Sequence, residues 1–173
     1  MLPSLPGKST VMHQTNAIIM NASEESIFEA AANLERWPTF LPHYRYIHYY
    51  QRGPVRNLVK MAANRGFIPI SWVSEQIIDR EHREIHFKHL KAWTKGMKVI
   101  WRFHRLRAGV HVEIVHDLSF RVPPLAPLAE RIISGFFINS IAAQTLQHMK
   151  AYVEKNEASC YYGSRPHHCD RDW

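Results

Sequence analysis

Residues Met97-Lys98-Val99-Ile100-Trp101-Arg102-Phe103-His104 (MKVIWRFH) alternate: Met97, Val99, Trp101 and Phe103 share one side, while Lys98, Arg102 and His104 share the other. Successive side chains of a strand point to opposite faces, so this parity reads as a strand with one covered face. The apolar set faces inward. Residues 110–122 repeat the pattern, with Val110, Val112, Ile114, Leu118 and Phe120 on the same side as His116. Strands that need only one covered face belong to antiparallel sheets.

Period-2 segments cover 12–20, 43–51, 55–66, 68–79, 83–90, 96–107 and 110–122, separated by turn signals such as Gly53-Pro54, Gly66, Asp79-Arg80 and Ala108-Gly109. The 83–90 segment has a helical alternative, because His82, His86 and His89 also fall at helical spacing. In 43–51, parity does not choose between Tyr44, Tyr46, His48, Tyr50 and the alternate set His43, Arg45, Ile47, Tyr49.

Two helical regions frame these strands. Ser23 caps a helix carrying Ile27, Phe28, Ala31 and Leu34 and ending at Arg36-Trp37-Pro38, with a short helix over 39–41. Residues 128–154 form a long amphipathic helix with Ile132, Phe136, Ile141, Thr145, Met149 and Tyr152 near one face. The expected fold is α+β: a curved antiparallel sheet of about seven strands around a long C-terminal helix, with an internal cavity. Residues 1–156 make one domain and 157–173 a disordered polar tail.

Composition sets further bounds. The 173 residues are 46% hydrophobic and 12% aromatic, a globular composition of one-domain length. No apolar stretch reaches the ~20 residues that span a bilayer, and no leader pattern opens the chain, so a cytoplasmic location is expected. The two cysteines, Cys160 and Cys169, make no disulfide framework. A net charge of +7 permits an acidic partner, yet no basic block, zinc motif or phosphate loop speaks for nucleic acid. Cys160, His167, His168 and Cys169 have ligand chemistry without a recognised spacing, so no metal is expected.

The inner faces suggest chemistry. In residues 70–79 (ISWVSEQIID), Trp72, Ser74 and Gln76 share a face. Together with Trp101, His116 and Tyr44 they compose an aromatic wall with a few polar groups, as in small-molecule pockets.

Several stretches resemble the single-domain polyketide aromatase/cyclases of the tetracenomycin and spore-pigment type, within the START-like, Bet v 1-like helix-grip superfamily. They are His13-Gln-Thr-Asn16-Ala-Ile-Ile, Leu34-Glu-Arg-Trp37-Pro38, Pro42-His-Tyr44, Ser71-Trp72-Val73-Ser74-Glu75, residues 97–101 and Ile138-Asn139-Ser140. The resemblance covers roughly residues 12–155. It implies a cavity that folds a poly-β-ketone delivered by an acyl carrier protein and promotes aldol cyclisation and dehydration, without a cofactor. Trp37, Trp72, Trp101, Met97 and Phe103 would be walls, Tyr44 a proton donor or acceptor, and Ser74 and Asn139 hydrogen-bonding groups.

At Gln76 the chain departs from the family pattern, which has an arginine there; a glutamine supplies a neutral hydrogen bond but no charge. His116 is the candidate to restore a titratable group, provided it reaches Gln76 directly or through one water. The alternative functions are a non-catalytic lipid or quinone carrier and a protein-interaction module using Lys98, Arg102, His104 and Arg107.

Overall fold

The computed structural model describes residues 10–92, 94–120 and 139–162. Seven strands, β1 (Thr10–Met20), β2 (Tyr44–Gln51), β3 (Arg56–Arg65), β4 (Ile68–Asp79), β5 (Glu84–Lys91), β6 (Lys98–Leu106) and β7 (Gly109–Phe120), form one antiparallel sheet in the order β1-β7-β6-β5-β4-β3-β2. Consecutive strands pair as hairpins from β2 to β7, and β1 closes on β7. The helices are α1 (Glu24–Ala32), α2 (Trp37–Phe40) and α3 (Asn139–Tyr162). This is the helix-grip α+β architecture that the alternation required.

The 83–90 segment is a strand, and its inner residues are Ile85, Phe87 and His89. Parity in β2 is settled by a register shift between Tyr44 and Tyr46, so Tyr44 is buried while Tyr46 and Tyr50 are exposed. A β-bulge inserts one residue and flips the phase beyond it. For this reason, no single alternating set of β2 lies inside.

The first helix is shorter than its apolar spacing predicts. It ends at Ala32, and a 3-10 turn over Leu34–Arg36 leads into α2, which contains Pro38 in its first turn. The expected helix over 39–41 therefore starts two residues earlier. Proline's missing N–H would have had no intrahelical partner there, so proline opens the helix instead of ending the one before it. At the other end of α1 the expected cap is present, with Ser23 Oγ accepting from Ser26 N–H.

Helix α3 continues to Tyr162, beyond 154 and into the residues expected to be tail. The expected helix start at 128, the faces of Leu118, Phe120, Ile132 and Phe136, and the segment beyond 162 lie outside the described residues. Ala142, Thr145, Leu146, Met149 and Val153 are the buried face of α3. Lys150 donates to Ile19 O, and Glu154 accepts from Asn21 N–H, which pins the C-terminal half of α3 to the end of β1. Phe40 of α2 stacks on Tyr152 at 4.1 Å. At the β6–β7 turn, Gly109 has φ +126°, and a Cβ there would lie 2.6 Å from Met20 O, so this approach to β1 admits only glycine.

Candidate functional site

Two polar groupings interrupt the apolar inner wall of the sheet. The first surrounds Gln76. Gly53 N–H donates to Asn57 Oδ1, Asn57 Nδ2 donates to Gln76 Oε1, and Gln76 Nε2 donates to Ala32 O at 2.9 Å. The last carbonyls of a helix lack intrahelical donors, and α1 has neither a glycine nor a basic residue in its last turn. Asn33 N–H closes the last helical bond to Glu29 O, and two later carbonyls are served from outside: the Trp37 indole reaches Ala30 O, and Gln76 reaches Ala32 O. Gln76 is wholly buried, and both ends of its amide are engaged.

The second grouping lies around a cavity of about 90 Å³ between the sheet and the start of α3, large enough for several waters. Its aromatic walls are Trp37, Tyr44, Trp72, Phe87 and Trp101. Trp37 sits at the centre, with ring centroids 4.9 Å from Tyr44, 5.8 Å from Trp101 and 6.4 Å from Phe87. Trp72 stacks on His89 at 5.7 Å. The polar lining consists of Tyr44, His89, Thr94, His116 and Thr145, and none of the described lining residues carries a carboxylate, ammonium or guanidinium.

These polar groups are held in their neutral forms. His89 Nδ1 is 2.7 Å from Thr94 Oγ1 across the β5–β6 turn. Burial, reinforced by the neighbouring His116, lowers the His89 pKa to about 3. Burial lowers His116 to about 4 against the opposing pull of Asp117, and its Nδ1 is buried without a hydrogen-bond partner. Burial also pushes the Tyr44 phenol above its ordinary range, against a hydrogen bond with Thr145. Behind Thr145, which donates to Ile141 O, His43 Nε2 approaches the same hydroxyl at 2.9 Å. The hydroxyl's only proton is already committed, so His43 is the donor there. Burial first, then His148, lowers His43 to about 4.

Of the residues singled out in the sequence, Trp37, Tyr44, Trp72, Met97, Trp101 and His116 line the cavity. Three others do not. Phe103 packs edge-on against Phe28 at 5.3 Å, Ser74 is buried with its hydroxyl unpartnered, and Gln76 closes the α1 network. The side chain of Asn139 lies outside the described residues. His116 and Gln76 belong to one cross-strand row, but Phe87 and Val99 stand between them. Gln76 is hydrogen-bonded to Asn57 and Ala32 instead, so the expected contact between the two is not formed.

His89, Thr94 and Thr145 were not singled out from the sequence as site residues. His89 shares the parity of Ile85 and Phe87, which was available once residues 83–90 were read as a strand. Thr145 stands on the apolar face of α3. Thr94 has no periodic signal, because it belongs to a turn.

Residues 20–149 match the family model described as polyketide cyclase / dehydrase and lipid transport. The chain belongs to this family. A putative polyketide cyclase of Streptomyces cyaneus is 24% identical over 119 residues, covering 67% of this chain and 77% of that protein. Among solved structures, the Zhui aromatase/cyclase of Streptomyces sp. R1128 superposes with a TM-score of 0.75 at 16% identity, covering 85% of this chain and 96% of that one. The ginseng major latex-like protein 151 of Panax ginseng superposes at 0.66 with 12% identity, covering 83% and 97%. These structural likenesses concern the fold. This member of the polyketide cyclase / dehydrase and lipid transport family is thus a helix-grip protein whose described cavity-lining residues are largely aromatic and formally uncharged.

Proposed function

We propose that the cavity binds a hydrophobic, carbonyl-bearing small molecule, a poly-β-ketone delivered by an acyl carrier protein, and promotes its aldol cyclisation and dehydration. The observation that carries this reading is the set of neutral proton-handling groups, His89, His116 and Tyr44, in one aromatic-walled cavity. A methylene flanked by two ketones loses a proton to a neutral imidazole. The resulting enolate carbon attacks a ketone carbon further along the chain, and the new alkoxide oxygen takes a proton. Loss of a second proton and of that hydroxyl, as water, then leaves the ring double bond. A neutral histidine is competent as the base, and a phenol that keeps its proton is competent as a hydrogen-bond donor to a developing oxyanion. The walls contribute by restricting the chain to near-closed conformations.

One observation favours a second reading, a non-catalytic carrier of a lipid or quinone: the amide of Gln76 is engaged in holding α1, and no cation is among the described residues that line the cavity. Incubating the purified protein with a carrier-bound poly-β-ketone and analysing the products separates the two. A shift toward cyclised, dehydrated product that is lost in His116→Leu supports the cyclase. An unchanged product spectrum, with a lipid or quinone retained in native mass spectrometry, supports the carrier.

A further inference from the structure

The β3–β4 hairpin overruns the sheet. On the β5 side, the register of β4 begins with Val73 opposite Lys91, so that among the described residues Ile68 to Trp72 have no partner on β5. On the other side, β2 pairs through Ala63, and Asn64 N–H still donates to His43 O. Beyond both neighbours only the tip, residues 65–69, stands clear, roughly 7 Å of strand. At the tip, Gly66 takes φ +55°, and Phe67 is fully exposed, followed by Ile68, which is about half exposed. Two adjacent exposed apolar residues give the turn a contiguous apolar tip, and contiguity is what distinguishes an interaction site from scattered exposure. The same hairpin supplies Ile70 and Trp72 to the cavity, so its tip stands beside the cavity's end of the molecule.

Charge is distributed along the same axis. Residues 36–74 and 85–112 contain no aspartate or glutamate, and at the hairpin end they present Lys91 and Lys95, while Asp117 at the same end is paired with His13. At the opposite end of the sheet, Glu24, Glu25, Glu29 and Asp79 form ion pairs with Arg83, Arg105, Arg80 and His82. The hairpin end thus combines protruding apolar side chains with cations. An anionic bilayer surface has the complementary pair of properties: an apolar interior for an aromatic side chain and phosphate headgroups for lysine and arginine.

We propose that this end docks on an anionic lipid surface, with Phe67 and Ile68 inserted at the headgroup level and Lys91 and Lys95 against the phosphates. The chain then lies on the membrane without spanning it; no helix among the described residues is long and apolar enough to cross one. In this pose the cavity's end of the molecule faces the bilayer, the phase in which a sparingly soluble aromatic product or lipid would partition.

The full chain is sedimented with vesicles of phosphatidylglycerol and phosphatidylcholine, and with pure phosphatidylcholine as the comparison. Expected is salt-sensitive binding to the anionic vesicles, weakened about tenfold or more in Phe67→Asp through loss of the buried ring. The Lys91→Glu, Lys95→Glu double variant should lose a similar factor. In Phe67→Trp, a blue-shifted emission component should appear on vesicle addition and be absent without vesicles. All these positions are exposed, so thermal melting should show each variant folded. No binding to anionic vesicles, or binding unaffected by Phe67→Asp, overturns the proposal; the former is the outcome expected if the hairpin serves an acidic protein instead. Vesicle binding is read without cavity ligand, so its failure leaves the cyclase reading of the cavity standing.

Discussion

The Gln76 network and the His89–His116 cavity both place polar side chains on the inner wall of one sheet, but their hydrogen-bond accounts differ. Around Gln76, the amide and its Asn57 neighbour are engaged at both ends, through Gly53 and Ala32, and neither lines the cavity. Around the cavity, His89 and Thr94 bond each other and Thr145 bonds Ile141 and His43, but His116 Nδ1 has no partner. Buried polar groups cost free energy unless they are satisfied. Engagement of both ends of Gln76 therefore marks a structural joint, and the unpartnered His116 Nδ1 beside a cavity marks a place for a ligand.

Acid should have the largest effect on the protein. His43, His89 and His116 have folded-state pKa values lowered to between about 3 and about 4 from an ordinary 6.5. Below 6.5 the unfolded chain binds protons that the folded chain refuses. Stability is therefore fully present above that pH and is lost as pH falls toward 4, by about 1.4 kcal/mol per unit of displacement for each group. Urea unfolding across pH 7 to 4 should show this slope, and His116→Leu should reduce it by one proton. A flat profile would mean that the histidines are hydrated.

Next in size is Gln76→Leu, which keeps the bulk but strands the Asn57 amide and the Ala32 carbonyl. It should lower the unfolding free energy by about 2–4 kcal/mol while the folded fraction still binds ligand normally. His116→Leu should do the reverse. Replacing an unpartnered buried imidazole with an apolar group should change stability by no more than about 1 kcal/mol. Affinity for a hydroxyanthraquinone probe should fall about tenfold, as measured by fluorescence quenching. The smallest effect is expected from Thr94→Val, which removes the His89 Nδ1 partner and should cost about 1 kcal/mol in thermal or urea unfolding.

Much of the fold was legible because a period of two leaves few alternatives. The bounds of β4 follow from Gly66 and Asp79-Arg80, and the inner faces of β6 and β7 follow from their apolar parity. Where the chain departs from the expected elements, a local event overrides periodicity. The bulge after Tyr44 changes the phase within β2, and Pro38 begins a helix where a stop was expected. The cavity was legible as an aromatic wall, but which polar residues open onto it was not. Trp72, Ser74, Gln76 and Ile78 have equivalent parity, yet the first lines the cavity and the third anchors α1. That distinction depends on Ala32 O, brought to Gln76 from 44 residues earlier by the fold alone.

Side-chain NMR of the histidine imidazoles and of the Gln76 amide, followed in one titration with a hydroxyanthraquinone, tests the contrast between the two polar groupings most directly. The His89 and His116 signals should shift in a saturable way while the Gln76 amide stays in place. Movement of the Gln76 amide with unperturbed imidazoles would contradict the assignment of the ligand site to the histidine cavity.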